Sequence, residues 1–276
     1  MEKTVSVLGC GWLGMAFGKT MISKGCVVKG STTSQSRIEE IKGAGIRPFI
    51  VRIEPGWAFV PDNRFFETDV LVISIPPARV ENITETLPRL MEEIIRQIEI
   101  SGTEKVIFIS STSVYKSSNA IVKEGQEGNP DQLSGKALLT AEELLMRADL
   151  MATVIRFGGL IGPGRNPGRF FAGRSNIPGN VPVNLIHQAD CVNILSEIID
   201  KNIWGEIFNA CSPEHPLRKD FYTLAAQVNG LPLPHFSDES ETHKIVNSDK
   251  LLQRLQYKFI YSNPMNYLKE LSGSEP

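Results

Sequence analysis

The chain has 276 residues, 41% of them apolar, enough for a sizeable core in one large domain or in a large domain with a smaller one. Its net charge of −2 argues against a bulk attraction to nucleic acid or to an anionic membrane surface, so neither is expected as a partner. No apolar run nears the ~20 residues of a membrane span; the opening run TVSVLG is too short for a signal peptide, and the four cysteines are scattered without a CxxC pair, so a cytoplasmic protein with free thiols and no metal is expected.

Along the chain, short apolar runs alternate with helix-like segments. TVSVLG reads as a strand, followed by a helix from about Trp12 to Ser23. CVVKGS is a second strand, with a helix from about Gln35 to Ala44 after it, and IRPFIV is a third. Asp69 to Ile75, DVLVISI, is continuously apolar after its first residue, as a strand buried on both faces is. A long helix is expected over Glu81–Ile100, then the strand KVIFIS, a helix holding Lys136, and the strand MATVIRF. This alternation implies crossover connections and a parallel sheet covered on both faces. From Gly158 the texture turns to Gly, Pro, Arg and Asn, an irregular stretch long enough to suggest function. NLIHQADCVNILSEIID then reads as a short strand and a helix with Asp190 as N-cap, and EIFNAC as a last strand. The tail holds two helix-like pieces, DFYTLAAQVNG and SDKLLQRL.

Three motifs can carry chemistry. GCGWLG follows a strand and opens a helix. Gly9 permits the tight turn, Gly11 lets backbone approach a pyrophosphate, and Gly14 lets the helix pack on the strand. After the second strand, where NAD sites place a carboxylate for the ribose hydroxyls, stands KGSTTSQSR, with no acid before Glu39. Hydroxyls such as Thr33 and Ser34, with Arg37, would accept a 2′-phosphate, so NADP is favoured over NAD. Arg37 can equally be a solvated helix residue. SSTSVY, Ser110 to Tyr115, ends the strand KVIFIS at the sheet edge where open parallel sheets bind ligands.

Together with DVLVISIPP, the Lys136 helix, RFGGLIGPGR, NLIHQAD, GEIFNAC and VNSDKLLQRL, these motifs run in one order over nearly the whole chain. In that order they resemble the short-chain dehydrogenase/reductase superfamily in its extended, epimerase/dehydratase-like form. The glycine spacing, one residue shorter than in ordinary extended members, is similar to that of an atypical branch of YeeZ-like bacterial proteins. The resemblance implies a doubly wound parallel α/β sheet of Rossmann type, with a dinucleotide-binding domain over 1–157. Residues 158–276 would complete the sheet and build a small C-terminal substrate-binding lobe. It also implies that NADP or NAD lies against Gly9, Gly11, Trp12, Leu13 and Gly14, against Thr33, Ser34 and Arg37, and against Ile75, Pro76 and Ser110. Phe157 and Gly159 would lie beside the nicotinamide. Ser111 matches the residue that polarises the substrate oxygen, and Lys136 the lysine that bonds the nicotinamide ribose. His187 lies in a motif that returns the chain from the substrate lobe, where a structural histidine held by backbone is favoured.

One position departs from the pattern. The family's proton donor is a tyrosine four residues before the lysine, and here that residue is Gln132. A phenol near a cation can shuttle a proton near neutrality, whereas glutamine only forms hydrogen bonds. Tyr115 is a candidate substitute, though the matching motif already has a tyrosine there. Arg165 and Arg169 in the Gly/Pro-rich stretch could bind an anionic substrate, or could be solvated loop residues. The expected function is NADP(H)-dependent oxidoreductase or epimerase/dehydratase-like activity on a small, sugar-like or nucleotide-linked substrate, as a monomer or homodimer. The alternative is a non-catalytic dinucleotide-binding regulator or sensor. A β-hydroxyacid-type dehydrogenase is disfavoured by SSTSVY and NLIHQAD.

Overall fold

The computed structural model describes residues 2–78, 80–126 and 128–273. In chain order it begins β1 (Thr4–Leu8), α1 (Trp12–Ser23), β2 (Val27–Thr32), α2 (Ile38–Gly43), β3 (Arg47–Ile50), β4 (Arg52–Glu54), β5 (Trp57–Phe59) and β6 (Val70–Ile73). There follow α3 (Ile83–Ser101), β7 (Lys105–Ser111), β8 (Ala120–Val122), α4 (Leu133–Arg147), β9 (Met151–Phe157), β10 (Gly159–Ile161), β11 (Ile177–Pro178) and β12 (Leu185–His187). The chain closes with α5 (Gln188–Asp200), β13 (Ile207–Ala210), α6 (Arg218–Val228), β14 (Phe236–Ser237), β15 (Lys244–Val246), α7 (Asp249–Leu255) and α8 (Pro264–Leu271).

Seven of these strands form a parallel sheet in the order β13-β9-β7-β6-β1-β2-β3. The order reverses direction at β1, where the chain has moved one way through β2 and β3 and then crosses back to β6. That reversal opens a crevice at the carboxyl ends of β1 and β6, the position where such sheets take ligands. The β1 register, Val5 beside both Val28 and Val70, buries apolar side chains on both faces. Helices cover them: α1 packs close because Gly18 carries no Cβ, which would stand 2.6 Å from Ile46 Cδ1.

The chain divides into two compact units. One runs to Val114 and takes up Gly128–Arg156 and Val192–Phe208; the other holds residues 115–126, Phe157–Cys191 and everything described from Asn209 on. The first therefore contains most of the sheet with α1 to α5's larger part. The second is built from short parallel pairs, β10 with β12, β11 with β14 and β8 with β15, and from α6 to α8. Its apolar centre gathers Ile161, Val183, Leu185, Phe221 and Leu268.

IRPFIV is the third strand as expected, as β3, and the chain then continues into an antiparallel hairpin that was not expected, β4 with β5, in which Glu54 pairs with Trp57. Pro55 and Gly56 make its two-residue turn, and Gly56 adopts φ +77°, which only glycine takes without strain. Other expectations need correcting. The stretch after Gly158 is not all loop, since it contributes β10 and β11. Asp190 is not an N-cap. It lies inside α5, where its carboxylate accepts the Tyr257 hydroxyl (2.8 Å) and the N–H groups of Ile260 and Tyr261 (2.7 and 3.1 Å). The side chain that bonds the first turn of α5 is His187, whose Nδ1 accepts the Ala189 N–H at 3.2 Å.

Candidate functional site

In the first unit a cavity of about 280 Å³ opens at the carboxyl ends of β1, β2 and β6. Its walls include Gly9, Gly11, Thr33, Arg37, Ile75 and Pro76, six of the residues expected at a cofactor site. Gly9 has φ +92°, and a Cβ there would stand 2.6 Å from the Ser74 carbonyl oxygen, so the turn requires glycine. Gly14 would place a Cβ 2.8 Å from the Gly9 oxygen and 2.9 Å from Val7 Cγ1, which makes it the helix–strand contact. Gly11 differs from both, for a Cβ there would meet nothing within 4 Å. It is the N-cap of α1, no side chain caps that end, and no acidic residue lies in the first turn. Open space over a helix N-terminus free of carboxylates suits an anion such as a pyrophosphate. Trp12 is half-buried, and Leu13 has its side chain in the core at 4% exposure, so it faces the expected cofactor position with its backbone on the first turn.

The end of β2 is joined to the glycine turn by two bonds. Ser31 Oγ accepts the Gly9 N–H at 2.8 Å, and the Ser31 carbonyl accepts the Cys10 N–H at 2.9 Å. Beyond it Thr32 Oγ1 accepts the Ser34 N–H at 3.1 Å, turning the chain. Ser34 itself is not among the wall residues; its hydroxyl shares a 2.7 Å hydrogen bond with Ser36. Arg37 reaches the cavity while its guanidinium contacts Glu40 at 3.0 and 3.3 Å. Sequence reasoning missed six wall residues, Leu8, Cys10, Val51, Ile53, Ser74 and Leu90. It also missed Arg52, whose Nε donates to the Thr33 carbonyl at 3.3 Å. Val51, Arg52 and Ile53 arrive there because they continue from β3, whose Ile50 pairs with Thr32. Burial raises the Cys10 thiol to about 11, so the thiol is uncharged at physiological pH and the wall's charge comes from Arg37.

At the end of β7 the hydroxyls divide. Ser110 is buried and donates its proton to Glu142 on α4, which corrects its expected role: that proton is committed to the protein. Ser111 is partly exposed, and its Oγ accepts the Ser113 N–H at 3.1 Å. Gln132 is the N-cap residue of α4, exposed, with no side-chain bond to the helix end. Lys136 is exposed too, and its N–H donates to the Gln132 carbonyl at 3.1 Å. Neither residue, nor Ser111, belongs to the wall of the cavity. Gly135 closes α4 onto the Ser113 carbonyl, where a Cβ has no room.

In the second unit, Tyr115 is buried at 2% exposure and its hydroxyl donates to Asn209 Oδ1 at 2.9 Å. Asn209 in turn donates to the Asn247 carbonyl at 3.1 Å. Tyr115 is thus corrected from a candidate proton donor to part of a buried polar chain. Phe157 is buried, while Gly158 and Gly159 lie against the Asn184 carbonyl and the Leu185 side chain, with hypothetical Cβ contacts of 2.9 and 2.8 Å. Arg165 and Arg169 are both exposed. His187 packs between the rings of Tyr261 and Tyr267, 4.2 and 4.5 Å between centroids, and burial lowers its pKa to about 4. Its Nε2 has no hydrogen-bond partner. Among the described residues no group of three or more His, Cys, Asp and Glu could hold a metal, and no helix is long and apolar enough to cross a membrane.

No protein-family model matches the chain. It is 33% identical over 268 residues to protein YeeZ of Escherichia coli K12, covering 95% of this chain and 98% of that one. Among solved structures it resembles UDP-N-acetylglucosamine 4-epimerase from Bacillus cereus, with a TM-score of 0.79, 14% identity and 99% and 100% of the two chains covered. It also resembles a short-chain dehydrogenase/reductase superfamily protein from Agrobacterium tumefaciens with bound NAD, with a TM-score of 0.75, 14% identity and 98% and 95% covered. These two similarities are of fold.

Proposed function

The chain belongs to the family of YeeZ, and from that premise we propose that it is an NADP(H)-binding oxidoreductase of the epimerase/dehydratase type, acting on a small, sugar-like or nucleotide-linked substrate. The observation that carries this reading is the cavity in which Gly9, Gly11, Thr33, Arg37, Ile75 and Pro76 meet. Gly11 offers room for a pyrophosphate over the α1 N-terminus. Arg37 lines the cavity with Thr33, Arg52 bonds the Thr33 carbonyl, the last residues of β2 carry no carboxylate, and the nearby Glu40 carboxylate is paired with Arg37. A bound nicotinamide would supply hydride transfer. Ser111 would hydrogen-bond the substrate oxygen, Lys136 the nicotinamide ribose, and water or another group would exchange the proton that Gln132 cannot. Side-by-side titration with NADPH and NADH tests the cofactor; tighter NADH binding would sink the NADP assignment.

A second reading, a dinucleotide-binding regulator without turnover, is favoured by two particulars. Gln132 has no titratable proton, and the Tyr115 hydroxyl is spent on Asn209. Gln132→Tyr separates the readings. Appearance of nicotinamide-linked turnover on nucleotide sugars supports an active pocket lacking one group, and continued silence with cofactor bound supports the regulator. Either form is proposed to work in the cytoplasm, as a monomer or homodimer, with a small molecule as partner rather than nucleic acid or membrane.

A further inference from the structure

Ser110 and Arg156 are the penultimate residues of β7 and β9, neighbours in the sheet. Both side chains reach one carboxylate, that of Glu142 on α4, which lies between those strands in the chain. Ser110 donates to Oε1, while Arg156 places Nε 3.0 Å and Nη2 2.6 Å from Oε2. All three residues are at most 5% exposed. Taking a charge pair out of water is costly, and apolar side chains of similar volume usually serve stability as well or better. What the ion pair provides instead is direction. A two-pronged guanidinium–carboxylate contact fixes both separation and rotation, and the Ser110 bond adds a third constraint.

The elements so fixed are those that carry the expected chemistry. Ser111 follows Ser110 directly, and Lys136 lies in the first turn of α4. We propose that Glu142 is a positioning residue that holds Lys136 and Ser111 in register for the nicotinamide end of a bound dinucleotide. The proposal rests on the dinucleotide reading above. Glu142 is buried and acts through the elements that it ties, whereas the adenosine end depends on the glycine turn and on the β2 end.

The test compares a whole cofactor with its adenosine fragment. A variant with Ser110→Ala, Glu142→Met and Arg156→Met removes the network without leaving a lone buried charge. Its affinity for NADPH should fall about tenfold, while that for 2′,5′-ADP stays within about twofold of the wild type. If the wild type favours NADH, the pair used is NADH and ADP. A purely structural role would change the thermal midpoint and leave the two ligands unsplit. Equal losses for both ligands, or none for either, overturn the positioning role. Should the triple variant not fold, Ser110→Ala alone is measured; a split of about threefold in the same sense is expected, and no split overturns the proposal. A wild type that binds neither dinucleotide overturns the functional reading and this role with it. Wild-type binding with an unsplit variant overturns the positioning role alone.

Discussion

Ser31 holds the glycine turn: its hydroxyl accepts the Gly9 N–H at 2.8 Å from 22 residues further along the chain. Because Gly9 is fixed at φ +92° against Ser74, this bond sets the height of the turn relative to β2 and β6. Ser31→Ala leaves the amide without its partner and should destabilise the protein by about 1–3 kcal/mol. Urea unfolding measures that loss, and a parallel titration should show weaker dinucleotide binding.

Gly11 gives the opposite kind of prediction. Its φ of −87° suits any residue, and a side chain there meets open space. Aspartate is a favoured N-cap, so Gly11→Asp should keep or raise the thermal midpoint by an amount worth about 0.5 kcal/mol. The same carboxylate stands where a pyrophosphate would approach, and binding should be lost. A variant that is stable and still binds would place the cofactor elsewhere.

Arg37 tests the 2′-phosphate assignment. Its guanidinium already contacts Glu40, so a phosphate must compete for it or share it. Arg37→Ala should weaken NADPH binding by about tenfold and NADH binding by less than about twofold. Calorimetric titration of both cofactors reads the difference directly.

Tyr115→Phe should cost stability and leave function intact. The hydroxyl donates into a buried chain that runs through Asn209 to Asn247. Losing it exposes an unsatisfied Asn209 oxygen and should cost about 1–2 kcal/mol. Cofactor affinity and any turnover should match the wild type; a loss of turnover at unchanged stability would restore Tyr115 as a proton donor.

His187 predicts a pH dependence. Burial between Tyr261 and Tyr267 lowers its pKa from 6.5 to about 4, with Glu270 opposing the shift weakly. Between those values the unfolded chain binds a proton that the folded one does not. The histidine's contribution is therefore complete above about pH 6.5 and is lost as pH falls towards 4. Asp190, whose carboxyl burial raises, titrates with the opposite sign. His187→Asn keeps an oxygen for the Ala189 N–H and cannot be charged. Denaturant unfolding across this range should show a shallower acid loss in that variant than in the wild type.

The expectations drawn from sequence succeeded where the signal is local. The valine-rich runs mark β1 and β6 because a strand buried on both faces is apolar at nearly every position, Ser6 of β1 being buried with its hydroxyl on the Phe65 carbonyl. GCGWLG marks the turn before α1 because backbone sterics admit only glycine at Gly9, and close packing admits only glycine at Gly14. The sequence marks Gln132 only as the residue four before Lys136; the structure places it at the N-cap of that helix. Other features depend on which distant segments meet. Asp190 looked like a cap by its place in sequence, yet its partners lie 67 to 71 residues away. Tyr115 looked available until the fold brought Asn209 to its hydroxyl, and Ser110 until Glu142 and Arg156 came together behind it. Arg52 had no motif at all; the pairing of β3 with β2, Ile50 beside Thr32, set it against Thr33. Periodicity and steric rules act over a few residues, so the sequence by itself determined the strands of the central sheet, the main helices between them and the glycine turn. A polar side chain's role depends on the partner that satisfies it, and only the tertiary structure decided those partners.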